Sequence, residues 1–176
     1  MIRPGSAQSR HKQGDLDLRF TPTPTAQEGI AGHAIVAQRR GEGYQSEVTL
    51  SAEHGALHVR GRADGYDPGR QLVEEVKTYR GQLSSLPDNH RHLHWAQLRV
   101  YGHLMCEKEG LAQIHLALVY FDIGSQQETV LEETRSREEL AALFAGQCER
   151  FMRWAEQELA HRAARDTALQ SLRFPH

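Results

Sequence analysis

Apolar and polar residues alternate with period two in several stretches of this chain and recur at helical spacing in others, and the two periods read out a set of elements. Tyr44, Ser46, Val48 and Leu50 alternate against Gln45, Glu47 and Thr49, the pattern of a half-buried strand. Glu53-His54-Gly55 turns that strand into Leu57 to Asp64. Asp67-Pro68-Gly69-Arg70 then leads into Leu72 to Thr78, with proline pre-setting φ and glycine permitting φ > 0. The three strands form a meander.

Helical periods flank the meander. Thr25 and Glu28 fit a T-x-x-E capping box, Thr23 before Pro24 is a competing start, and the helix runs to about Arg40, ahead of Gly41. Ile30, His33 and Ala37 share its core-facing stripe. After a loop from Tyr79 to Asn89, Asp88 or Asn89 caps a helix that reaches Glu109 and stops at Gly110. Leu93, Gln97, Val100, Tyr101 and Leu104 form one stripe, so Gln97 and Tyr101 stand one turn apart and face inward. Ile114 to Asp122 is apolar on both faces, as a central strand requires, and Thr129 to Thr134 follows as an edge strand. Ser136 and Glu139 form a second capping box. They open a helix with Leu140, Leu143, Phe144, Phe151, Ala155 and Leu159 inside, continuing to about Leu169 or breaking near Ala160. This order predicts an α/β fold, a mixed β-sheet of about five strands flanked by helices.

Composition narrows the setting. The 176 residues suffice for one domain, with 1–19 as a flexible N-terminal tail and 20–176 as the folded unit. The tail from Met1 to Gly14 shows no apolar period, and its Arg3, Arg10 and Lys12 read as solvated. The 21 basic and 23 acidic residues leave a net charge of −2, so any nucleic-acid contact must come from a local patch. The two cysteines, Cys106 and Cys148, match no zinc pattern and suit a reducing, cytoplasmic setting. No apolar run is long enough to span a membrane. His90, His92 and His94 hold only one helical i, i+4 pair and read as surface.

The chemistry concentrates between Gly61 and Thr78. Alternation puts Val73, Glu75 and Lys77 on one face of their strand and Leu72, Glu74 and Val76 on the other, so only Glu75 of the two acids is expected at a site. With Pro68 and Gly69 at the centre of the turn, Asp64 faces Val73 and Arg62 faces Glu75. Asp64 and Glu75 then become diagonal neighbours at about 7–8 Å on one face. A hard cation held by such a carboxylate pair activates water and neutralises charge on a phosphodiester, and a lysine one pleat further can orient the water or meet developing charge. The same residues also read as a turn aspartate and a solvated Glu–Lys pair. His33 likewise reads as a satisfied core histidine, and Glu47 as a solvent-facing strand residue rather than an extra site carboxylate.

Asp64 followed by Glu75-Val76-Lys77 resembles the D…E-x-K signature of the PD-(D/E)XK nuclease superfamily. His33 on the upstream helix and Gln97-Leu98-Arg99-Val100-Tyr101 on the downstream one are similar to motifs of its RecB-like branch. The resemblance runs roughly from Phe20 to His176. It implies a restriction-endonuclease-like core and a metal-dependent deoxyribonuclease in which His33, Asp64, Glu75 and the Val76 carbonyl hold magnesium or manganese. Lys77 would serve the water, and Gln97 and Tyr101 would organise the site and the strand. Arg80 and Arg99, with Lys77 and Arg91, are the expected phosphate contacts. Some RecB-like relatives carry a four-cysteine iron–sulfur cluster; two cysteines cannot make one, so no cluster is expected. The closing run Leu172-Arg173-Phe174-Pro175 is similar to one that leads from such a domain into a DinG/XPD-like helicase. This implies a helicase domain C-terminal in the same polypeptide, single-stranded DNA as substrate, and a role in DNA repair or processing. A catalytically inactive DNA-binding or scaffolding module of a helicase is the alternative, and a phosphodiesterase for RNA or small nucleotides is another.

Overall fold

A computed structural model describes residues 23–171. The tail with Arg3, Arg10 and Lys12, the boundary at 19/20 and the run Leu172–His176 lie outside the described residues. Five strands form one sheet in chain order: β1 (Gln45–His54), β2 (Leu57–Asp67), β3 (Leu72–Tyr79), β4 (Gln113–Asp122) and β5 (Glu128–Ser136). All neighbours pair antiparallel except β3 and β4, which are parallel. A parallel pair needs a long crossover, and α2 (Asp88–Glu109) supplies it. The helix α1 (Ala26–Gln38) precedes the sheet and α3 (Arg137–Ser171) follows it.

The sheet is buried on both faces at its centre, which is why β4 reads as an almost unbroken apolar run. On one face Leu72, Val76, Ala117, Val119 and Phe121 pack with Val36 of α1. On the other, Val73, Leu116, Leu118 and Tyr120 pack with Leu98, Leu104 and Met105 of α2 and with Leu140, Phe144 and Cys148 of α3. Close approach of α1 depends on Gly32, where a Cβ would fall 2.6 Å from Thr78 Cγ2 and 3.1 Å from the Phe121 ring.

Local chemistry sets the helix ends. Thr25 and Glu28 form the full capping box of α1, and Ser136 and Glu139 exchange the equivalent bonds at the start of α3. Gly110 ends α2 in the left-handed conformation, with φ 68°. Elsewhere the structure corrects the expectation. Pro87, not Asp88 or Asn89, takes the N-cap position of α2, without a side-chain bond. The buried residues of α1 are Gly32 and Val36, while Ile30 is 73 % exposed. On α2 the buried set runs through Leu98, Gly102 and Met105, leaving Leu93 exposed. Helix α3 is continuous through Ala160, and its Leu143, Phe151 and Leu159 are exposed rather than inward. In each case the short stripe was apolar enough to fit, but the sheet contacts a neighbouring stripe instead.

Candidate active site at the fork between two strands

Pairing of β2 with β3 covers only Gly65 with Glu74, Tyr66 with Val73 and Asp67 with Leu72, after which the strands part. Beyond this point β2 stays with β1 while β3 stays with β4. Asp64 is the first β2 residue past the fork. Its Oδ2 accepts the Val76 N–H at 2.7 Å, supplying the bond that a ladder partner would have supplied, and its Oδ1 lies 3.2 Å from His33 Nδ1. The connection between β2 and β3 is the four-residue turn Pro68-Gly69-Arg70-Gln71, with Gln71 at φ 49°. The register is therefore two residues away from the expected one: Tyr66, not Asp64, faces Val73, and continuing the register sets Asp64 across from Glu75. A shift of two keeps the facing parity. The alternation of β2 nonetheless breaks at Asp64: its carboxylate turns to His33 on the α1 side while Glu75 projects to the α2 side, so the expected placement of both carboxylates on one face is corrected.

Beside the fork, β1 is irregular. Ser46 pairs with Gly65 and Val48 with Ala63, so Glu47 stands across from Asp64, and Glu47 adopts φ 60°. Val48 and Ala63 face the core beneath α2 and α3. Tyr44 instead reaches the α1 side, close over Gly65, where a Cβ would collide with the Tyr44 hydroxyl. The alternation expected from Tyr44 through Leu50 thus breaks at Glu47.

Glu75 and Lys77 project to the α2 side. Lys77 Nζ donates to Glu75 Oε1 at 2.6 Å and to Gln97 Oε1 at 3.2 Å, and Gln97 Nε2 donates to the Tyr101 hydroxyl at 3.1 Å. Two of the three ammonium donors are occupied, which leaves one for a water or a phosphate oxygen. Glu75 is 2 % exposed, and its Oε2 is buried without a hydrogen-bond partner. Burial and the Asp64 charge push the Glu75 carboxyl up to about 7, against the pull of Lys77. His33 is held above its ordinary value by its bond to Asp64, with burial opposing.

Imidazole, two carboxylates and the Val76 backbone suit a hard divalent cation in kind, and the orphaned Glu75 oxygen is the sort of group that such a cation satisfies. Among the described residues, no group of three or more His, Cys, Asp or Glu side chains is gathered closely enough to hold an ion. Glu75 is turned to Lys77, and His33 to Asp64.

Two of the three expected arginine contacts are engaged elsewhere. Arg80 pairs with Glu28 at the start of α1. Arg99 grips both oxygens of Glu133 on β5 at 2.7 and 2.9 Å and lies over the Trp95 ring, and with Arg135 it holds the Glu133 carboxyl down at about 2 against burial. Arg40 and Tyr44 were not expected near the site, and His94, expected at the surface, is corrected. His94 is half-buried, with Nδ1 3.0 Å from the Tyr120 hydroxyl; burial and the Lys77 charge push it down to about 4. Arg40 and Tyr44 bond Glu74 at 2.7 and 2.8 Å on the opposite face. For His94, its i, i+3 spacing to Gln97 was a usable signal; for Arg40 and Tyr44 the sequence carries none.

A cavity of about 510 Å³ opens on the α1 side of the fork, reaching His33, Asp64 and Val76. No protein-family model and no curated protein matches the chain. The solved structures that it resembles include the following three. A protein from Eubacterium rectale named "Putative exonuclease" has TM-score 0.49 at 16 % identity, over 72 % of this chain and 51 % of that one. A phage-related exonuclease from Haemophilus somnus 129PT has TM-score 0.48 at 13 % identity, over 76 % and 69 %. The protein SSO0001 has TM-score 0.42 at 21 % identity, over 65 % and 55 %. The chain thus spans little more than half the length of two of these proteins. No described helix is long and apolar enough to cross a membrane.

Proposed function

We propose that this chain is a divalent-metal-dependent deoxyribonuclease of the RecB-like PD-(D/E)XK kind, acting on single-stranded DNA. The observation that carries the reading is Glu75, a buried carboxylate with one oxygen on Lys77 and the other unpartnered, at the fork where Asp64 and His33 converge. A satisfied structural carboxylate has no reason to keep an orphaned buried oxygen, which costs roughly 1–3 kcal/mol.

In this reading His33, Asp64, Glu75 and the Val76 carbonyl hold magnesium or manganese, which supplies an activated water and neutralises charge on the phosphate. Asp64 does double duty, bonding the Val76 amide and so fixing the segment that presents Glu75. Gln97 and Tyr101 form a relay that holds the Lys77 ammonium in place, so little reorganisation is needed when charge develops on the phosphate oxygens. Lysine suits the position because a compact point charge fits beside a carboxylate where a planar guanidinium would not. With Arg80 and Arg99 both engaged in ion pairs, strand binding by the isolated domain is weak and salt-sensitive. A helicase domain in the same polypeptide would offset that weakness by delivering the strand at high effective concentration, in DNA repair or processing.

The test is single-turnover cleavage of end-labelled single- and double-stranded DNA with manganese, beside Lys77→Ala and with binding measured in calcium. The single strand is cut, and Lys77→Ala keeps most of its affinity while cutting roughly a hundredfold or more slowly. A wild-type protein that cuts nothing overturns the reading, as does a Lys77→Ala variant that cuts at the normal rate. Manganese titration by calorimetry separates the rival: a domain that binds DNA but not the ion is a strand-binding module.

A further inference from the structure

The cavity on the α1 side has an unequal pair of walls. One is small and apolar, built by Ala26, Gly29, Ile30 and Ala37, and the other carries Glu47 and Arg62. Arg62 pairs with Glu47 at 2.5 Å, and both side chains are largely exposed, at 64 % and 52 %. Among the described residues, Arg62 is the one lysine or arginine lining this cavity, and the salt bridge occupies it. Glu47 holds its place with a φ of 60°, a conformation that a non-glycine residue rarely adopts outside turns, and it does so in mid-strand directly across from Asp64.

We infer that Arg62 is a phosphate-binding residue of the strand path and that Glu47 occupies its guanidinium until a single strand of DNA displaces it. The inference rests on the nuclease reading above, and it names how the substrate is received. A pocket of this size takes about one nucleotide unit, not a duplex. The apolar α1 wall suits a sugar or base face, and among the described lining residues the lysine or arginine that an adjacent phosphate would meet is the one that Glu47 holds. Because an exposed ion pair is weak, a phosphate can exchange with the Glu47 carboxylate at little cost.

The experiment measures binding of a fluorescent single-stranded oligonucleotide in calcium across a salt series, with Arg62→Gln, Glu47→Gln and the double variant. Both positions are exposed, and each variant's melting temperature confirms that it folds. Arg62→Gln is expected to weaken binding about five- to tenfold and to reduce the salt slope by about 0.7, the loss of one single-strand phosphate contact. Glu47→Gln is expected to tighten binding about two- to fivefold, and that gain vanishes in the Arg62→Gln background. An unchanged slope in Arg62→Gln overturns the inference. So does a Glu47→Gln gain that persists without Arg62, since it would then be generic charge relief. If the wild-type protein cuts DNA yet Arg62→Gln behaves as wild type, only this inference fails; if the wild-type protein neither binds nor cuts, the nuclease reading fails with it.

Discussion

Glu74 and Glu75 are adjacent, equally buried and chemically identical, yet the structure treats them oppositely. Glu74 points to the α1 side, where Arg40 and the Tyr44 hydroxyl both bond its Oε2 and Arg40 is itself held by Glu128. Glu75 points to the α2 side, with a single lysine for one oxygen and nothing for the other. The first arrangement raises Arg40 above its ordinary value against burial, and burial with the Glu74 charge raises Tyr44; each group depends on the others. The second is left open. A buried carboxylate that is closed off by partners serves the scaffold, and one left open is available to a ligand.

The largest effect that separates the two concerns cleavage. Glu75→Gln is expected to lose cutting by a hundredfold or more, while Glu74→Gln continues to cut below its melting temperature, measured by the same single-turnover assay. Equal losses would collapse the distinction. Stability should show the reverse order: Glu74→Ala leaves Arg40 with Glu128 alone and loses roughly 2–3 kcal/mol, whereas Glu75→Gln stays within about 1 kcal/mol of wild type, read from denaturant midpoints at constant slope.

Acid sharpens the contrast on the α2 side. His94 has a folded value near 4, below the unfolded 6.5, so the unfolded chain takes up its proton first. The His94 contribution is therefore complete above about pH 6.5 and declines as pH falls toward 4, by up to about 3 kcal/mol before solvent screening reduces it. His94→Gln should flatten that part of the stability profile. The smallest effect is Tyr44→Phe, which removes one of two bonds to Glu74 and should lose about 1.5 kcal/mol with cutting preserved. A Tyr44→Phe loss as large as that of Glu74→Ala would mean that the hydroxyl, not Arg40, carries the network.

Much of this layout was legible in the chain because it is local. Capping boxes act within four residues, so Thr25 with Glu28 and Ser136 with Glu139 could be read directly, and alternation alone put Glu75 with Lys77 against Glu74. The Gln97–Tyr101 bond follows from helical spacing in the same way. What failed was long-range. The four-residue turn moved the register by two, and no local rule requires Glu47 to take a positive φ. Whether Arg99 meets a phosphate or Glu133 depends on where β5 lies, thirty-odd residues on in the sequence, and whether Arg80 is free depends on Glu28 far upstream. The stripes through Ile30 and Leu93 misled for a related reason: an apolar residue on a helix is buried only if the sheet happens to reach it.

The parallel pairing of β3 with β4 has a consequence for how the chain folds. The β1–β2 and β2–β3 hairpins close over short turns, but β4 reaches β3 only after the stretch 80–112 has crossed over the sheet, at greater entropic cost. Until then one edge of β3 stands open, carrying Leu72, Val73 and Val76, an apolar strand edge of the kind that pairs with other chains. Glu74, Glu75 and Lys77 sit along that same edge, and charge there is what discourages association between unfinished sheets. Charge at the fork thus also discourages strand-to-strand association wherever that edge is open.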